Sequence, residues 1–168
     1  AHLNEAKDSL HKKCIYFDGE GEEGQVEIAM QWNTGYQESI FSFANNINTH
    51  EGGSHMSGFR SALTRTMNAY AREKGLLKEK DPNLSGDDVR EGLAAVISIK
   101  HSDPKFESQT KVKLLSPEVE SIVGSLSYEG LMFYFEANTG VAKRIVEKAL
   151  TAARAREAAR KARETIRK

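Results

Sequence analysis

The feature that most constrains the fold is residues 93–99, a run that is almost entirely apolar and rich in β-branched side chains. A strand with one solvated face alternates between apolar and polar residues. A continuous apolar run is instead typical of a strand that is covered on both faces. The run therefore predicts a central buried strand.

Three further strands are predicted on its N-terminal side. Residues 14–17 form a short apolar run, and residues 26–32 alternate between apolar and polar side chains with a period of two. After turn residues at Asn33-Thr34-Gly35, another strand is expected at residues 39–44. Because the turns between these strands are short, the pattern predicts an antiparallel meander.

Helical signals occupy the rest of the chain. One apolar stripe at helical spacing predicts a helix that ends near Gly75, and a capping box at Ser85 predicts a short one. Ser116-Pro117 indicates the start of a helix that runs to about Glu136, followed by a last helix over residues 141–168. The first stripe consists of Met56, Phe59, Leu63, Met67 and Tyr70.

The last helix is strongly basic although the whole chain has a net charge of zero. Residues 141–168 hold ten lysines and arginines against three glutamates, a net charge of 10 − 3 = +7. Its apolar stripe is mostly alanine, so we expect an arm that meets another domain or nucleic acid rather than a core element. A solvated helix face explains the same charge pattern. The arginine stripe comprises Arg156, Arg160, Arg163 and Arg167.

Sequence motifs for nucleotide binding and metal binding are absent from the chain. The chain has no Walker A or GxGxxG motif, no CxxC and no HExxH, so we expect neither a phosphate cradle of its own nor a metal site. The single cysteine, Cys14, excludes an internal disulfide. No apolar run reaches the roughly 20 residues that a membrane span needs.

A polar loop at Gln109-Thr110-Lys111 is the sharpest candidate for chemistry. Lysine offers a long-reaching charge suited to a phosphate oxygen, and the Gln109 amide can donate a hydrogen bond. Taken alone, the triplet is far more typical of an ordinary exposed polar loop.

Several segments resemble one family in the same order along the chain. Together they are similar to the transducer domain of bacterial DNA gyrase B subunits, and the topoisomerase IV B subunit is a close relative. The resemblance covers nearly the whole chain. The matching segments are 45–55, 58–60, 63–66, 84–93, 103–106, 109–111 and 152–163.

The resemblance implies a fold and a division of the chain. It implies an α+β domain with a four-stranded mixed sheet backed by helices and a left-handed βαβ crossover, an exception to the usual hand. Residues 1–140 would be the transducer domain. Residues 141–168 would form the long helix that leads toward the DNA-cleavage core.

The resemblance also implies an ATP-linked role in a type II DNA topoisomerase, an isomerase. ATP sits in a preceding GHKL-type domain, and a transducer lysine touches its γ-phosphate. By position Lys111 is that lysine, the catalytic candidate, and Gln109 its ATP-binding neighbour. Mg²⁺ belongs to the full-length enzyme, with no metal expected in this chain, and the isolated chain is expected to be inactive.

DNA and further subunits are the implied partners. The resemblance places Arg60 at a cavity that holds double-stranded DNA, with Arg65 and the arginine stripe as weaker candidates for phosphate contacts. The gyrase A protein, the upstream ATPase domain and a second copy of gyrase B are the implied protein partners, in the cytoplasm and away from membranes. Two alternatives stay open: a topoisomerase IV transducer and a non-catalytic nucleic-acid-binding module.

Overall fold

The computed structural model describes residues 9–11, 13–21, 24–45, 47–49, 52–101, 113–114 and 117–167. In chain order the elements are β1 (Ile15–Gly21), β2 (Gly24–Trp32), β3 (Ser39–Ala44), β4 (Ile47–Asn48), β5 (Gly52–Gly53), α1 (Ser54–Glu73), α2 (Gly86–Arg90), β6 (Leu93–His101), β7 (Lys113–Leu114), α3 (Pro117–Ala137) and α4 (Thr139–Arg167).

The apolar run becomes the central strand of the main sheet, as predicted. The strand order is β1-β2-β6-β3-β4, so β6 has neighbours on both edges. It pairs antiparallel with β2 and parallel with β3. Four long strands, extended at one edge by the two-residue β4, thus form a mixed sheet, and the predicted α+β class is confirmed.

The predicted antiparallel meander is wrong. β1 and β2 form a hairpin, but β3 lies beyond β6 rather than beside β2. The linker at residues 34–38 can reach over one strand, because the gap of about 10 Å is well within its extended length of roughly 17 Å. The most apolar strand gains a partner on each edge by taking the place between them.

Helices α1 and α3 pack closely together against the sheet. The predicted stripe of α1 is buried, and the Tyr70 ring meets Phe135 of α3 edge-on at 5.2 Å between centroids. Their backbones nearly touch at Gly58, where an added Cβ would lie 2.4 Å from the Glu120 carbonyl oxygen. The capping box predicted at Ser85 is present at the start of α2.

Helix α4 divides into two halves. The expectation that it contributes no core element is wrong for the first half, where Ala142, Ile145, Val146 and Ala149 are buried. These side chains recur every three or four residues, so they form one stripe that faces the core. From Arg154 to Ile166 every side chain is exposed, as predicted for an arm. None of the described helices is long and apolar enough to cross a membrane.

Candidate nucleic-acid interface

A basic groove runs along the face of α1 that points away from the core. Residues spaced three or four apart on this helix supply one wall, and the loop after α1 and the end of α2 supply the other. Among the residues that the structure describes, four arginines and no acidic residue line the groove. The lining comprises Arg60, Ser61, Thr64, Arg65, Asn68, Ala69, Arg72, Asn83 and Arg90.

Arg72 holds the groove's far wall in place. Its Nε donates to the Asn83 side-chain oxygen over 3.0 Å, and its Nη1 donates to the Lys78 carbonyl over 3.1 Å. A further bond reaches the Asp81 carbonyl over 2.9 Å. Since these bonds use most of its donors, Arg72 organises the loop rather than offering a free charge.

Glu38 links two of the other arginines. Arg90 Nε donates to this carboxylate over 2.7 Å, and Arg60 Nη2 lies 3.7 Å from its other oxygen. Arg90 also pairs with Asp87 at 3.2 Å. Exposed ion pairs contribute about 0–1 kcal/mol, so a phosphate could compete for Arg60. The buried Arg60 Nε has no hydrogen-bond partner in the described part of the chain.

Arg65 is the most available cation of the groove. It is exposed, and its guanidinium lies 5.0 Å from the centre of the Tyr128 ring. It forms no ion pair with any carboxylate that the structure describes. A guanidinium stacked on an aromatic ring is held in place yet keeps donors for a ligand.

The arginine stripe of α4 is less available than its charge suggests. Arg156 pairs with the buried Asp88 carboxylate and lies 3.9 Å from Glu91. Arg160 bonds Glu157 and Glu164 of its own helix, and the hydrogen bond from Arg160 lowers the pKa of Glu157. Arg163 is exposed, and the side chain of Arg167 is outside the described residues.

Gln109 and Lys111 also lie outside the described residues. The chain on either side of them is described: β6 ends at His101 and β7 begins at Lys113. Among the described residues, no group of three His, Cys, Asp or Glu side chains could hold a metal ion.

Comparison with known protein families shows which family the chain belongs to. The family model for DNA gyrase B matches residues 1–165. The chain belongs to the DNA gyrase B family. Membership accounts for the ordered motifs, because they match over the same span.

Gyrase B sequences are similar over nearly the whole chain. The DNA gyrase B protein of Mycolicibacterium smegmatis is 58% identical over 167 residues, which are 99% of this chain and 25% of that protein. The gyrase B protein of Streptococcus pneumoniae serotype 4 is 54% identical over 99% of this chain and 26% of its own length. The chain therefore spans about a quarter of the length of these gyrase B relatives.

Solved structures share the fold. The 43K ATPase domain of Thermus thermophilus gyrase B, in complex with an aminocoumarin, has a TM-score of 0.90 at 46% identity, covering 98% of this chain and 44% of that one. The topoisomerase IV ATP binding domain of Francisella tularensis has a TM-score of 0.79 at 25% identity, covering 93% and 42%.

The sequence did not reveal all of this gyrase B groove. Arg90 and Glu38 are 52 residues apart in the chain, and only the folded sheet and helices bring them beside Arg60. Arg72 shows the right spacing from Arg65, but its bonds to the 78–83 loop have no sequence signature. A search for arginines on the polar face of α1 would have found Arg60, Arg65 and Arg72 together.

Proposed function

We propose that the chain is the transducer domain of an ATP-dependent type II DNA topoisomerase, a gyrase B protein. It would couple ATP binding and hydrolysis in a neighbouring GHKL domain to DNA gate motion and strand passage. One observation carries the proposal: the chain matches less than half of a gyrase B ATPase-domain structure, yet has no phosphate-cradling motif. Such a chain would complete a site whose phosphate-binding part lies in a neighbouring domain.

Lys111 is the residue proposed to complete that site, with Gln109 beside it. A charge-assisted hydrogen bond contributes about 1.5–3 kcal/mol. The contact exists only while the γ-phosphate is present, so it distinguishes the nucleotide states and can bias a domain rotation. It would also stabilise the charge that develops during phosphoryl transfer. ATP would be held mainly by the neighbouring domain, with Mg²⁺ supplied in the full-length enzyme.

The basic groove is the proposed DNA-facing surface. Arg60 and Arg65 present cations without base-reading partners, an arrangement suited to phosphates and to binding that does not depend on sequence. The exposed half of α4, with Arg160, Arg163 and Arg167, would continue toward the DNA-cleavage core as an arm. Gyrase A and a second copy of gyrase B are the further partners proposed for the full enzyme.

Sequence identity to known proteins favours gyrase B over the topoisomerase IV B subunit. The gyrase B relatives are 54% and 58% identical, whereas the matched topoisomerase IV structure is 25% identical. Reconstitution of the full-length protein with gyrase A and ATP distinguishes the two. Supercoiling of relaxed plasmid supports gyrase, and relaxation without supercoiling supports topoisomerase IV.

Lys111→Ala in the full-length protein is the direct test of ATP coupling. Loss of the γ-phosphate contact should lower ATP turnover roughly 10- to 100-fold, the rate equivalent of the contact's free energy. The variant should fold like the wild type, as measured by circular dichroism and thermal melting. Lys105→Ala removes the same charge from the same inter-strand segment and should keep near-normal turnover. Wild-type turnover in Lys111→Ala would contradict the proposal and favour a non-catalytic nucleic-acid-binding module.

A further inference from the structure

Both described ends of the segment that carries Lys111 contact one short stretch of the chain, described at residues 45, 47–49 and 52–55. At the end of β6, the Asn45 side chain donates to the His101 carbonyl over 3.1 Å and accepts from the His101 N–H over 2.9 Å. At the start of β7, Gly52 pairs with Lys113 and Gly53 with Leu114 in a parallel ladder. Residues of this stretch therefore hold the chain on each side of residues 102–112.

The backbone conformation and hydrogen bonds of Asn45 suit its position at the end of β3. Its φ is +50°, a left-handed conformation that asparagine tolerates better than most residues. Its backbone N–H donates to the Ile99 carbonyl over 2.8 Å, so main chain and side chain both bind β6. The paired side-chain bonds to His101 fix the exit of that strand.

Thr49 is the hub that fixes the rest of the stretch. Its hydroxyl donates to the Ser42 carbonyl over 2.9 Å, lies 2.7 Å from the Ser42 hydroxyl, and lies 3.1 Å from His55 Nε2. Its carbonyl accepts from the Gly52 N–H over 2.9 Å. Ser42, Thr49 and His55 are each at most 2% exposed, so water cannot replace these bonds.

His55 is a neutral partner of this hub. The His55 ring contacts the hub through Nε2, 3.1 Å from the Thr49 hydroxyl. Burial lowers the pKa of His55 from 6.5 to about 4, which keeps the ring uncharged near neutral pH. The ring sits in the first turn of α1, so the hub ties β3, β5 and α1 together.

We propose that residues 45, 47–49 and 52–55 form a positioning element for the ATP-contacting segment, with Thr49 and His55 as positioning residues. The inference rests on the function proposed for Lys111. Lys113, which pairs with Gly52, lies only two positions after Lys111 in the sequence. The placement of β7 by Gly52 and Gly53 thus limits where the lysine can reach.

Two variants test the element, and two serve as controls. Thr49→Val removes the hub hydroxyl with little change of shape, and Thr49→Ser keeps it. Thr66→Val removes another buried threonine hydroxyl, which donates within α1 to the Ala62 carbonyl over 2.7 Å. Asn45→Gly tests the other end: glycine accepts the positive φ, and the position is exposed, so the variant should fold.

Hydrogen exchange on this chain, without nucleotide, is the first measurement. Thr49→Val should speed amide exchange in peptides spanning β5 and β7 at least about tenfold, as expected for loss of a buried hydrogen bond. Asn45→Gly should speed exchange at the end of β6, while Thr49→Ser stays near wild type. Unchanged exchange in β7 with Thr49→Val, or equal acceleration with Thr66→Val, would overturn the proposal.

ATP turnover in the full-length protein separates this inference from the function beneath it. Thr49→Val should lower kcat about tenfold or more with KM little changed, and should add almost nothing to Lys111→Ala. If Lys111→Ala turns over normally, the proposed function fails whatever the exchange data show. If Lys111→Ala is impaired but Thr49→Val and Asn45→Gly keep wild-type kcat, the positioning role alone fails.

Discussion

Two sets of arginines differ in what surrounds them, although both lie on helices. Arg60 and Arg65 project from α1, whose opposite face is buried against the sheet and α3, so their positions are fixed by the core. Arg160 and Arg163 project from the half of α4 whose side chains are exposed and which reaches the rest of the domain through Arg156. The charge density in the sequence is higher around the second set. The first set is better suited to bind phosphate, because its positions are fixed and it keeps free hydrogen-bond donors. Local charge in the sequence therefore does not measure how available each arginine is.

The largest expected difference between α1 and α4 is in how a glycine-to-alanine substitution changes the free energy of unfolding. Gly58→Ala should destabilise the protein by about 2–3 kcal/mol, because its Cβ would collide with the Glu120 carbonyl and push α3 from α1. Gly140→Ala, at the start of α4, would place a Cβ with no described atom within 4 Å beyond its own helix backbone and chain neighbours, and should be neutral or stabilising by up to about 1 kcal/mol. Urea unfolding of both variants checks this. Equal destabilisation would contradict the difference in packing.

Arg156 and Arg160 sharpen the comparison within α4. Arg156→Ala should cost about 1–2 kcal/mol, because it leaves the buried Asp88 carboxylate without its cation. Arg160→Ala should leave the stability close to that of the wild type, because its partners are exposed on the same helix. Thermal melting of the two variants measures the difference. A larger loss for Arg160→Ala would show that the boundary between core and arm lies further along α4.

The local elements could be predicted from the sequence, and the sheet order could not. The stripe of α1, the cap at Ser85 and the apolar run of β6 each depend on neighbours a few residues away, which a linear pattern records. The position of β6 between β2 and β3 depends on which edges meet in space. The short linker before β3 permits both arrangements.

In the candidate site, too, some features could be predicted from the sequence and others could not. Family resemblance is what predicts roles for Arg60, Arg65 and Lys111, since the triplet at 109–111 is ambiguous alone. Glu38 and Arg90 are remote in sequence, so no spacing predicts their contact with Arg60. The link from Thr49 and His55 to β7 depends on a two-residue ladder between Gly52-Gly53 and Lys113-Leu114, too short to leave a periodic signal.

The central claim is that the groove on α1, rather than the arm, supplies the main phosphate contacts. The most direct measurement is the salt dependence of duplex DNA binding by the full-length protein, comparing Arg60→Gln with Arg65→Gln against Arg160→Gln with Arg163→Gln, two charges removed in each. The slope of log affinity against log salt should fall by about 2 for the groove pair, at roughly 0.9 per phosphate contact, and by less than about 1 for the arm pair. A slope that falls for the arm pair while the groove pair keeps the wild-type value would contradict the account.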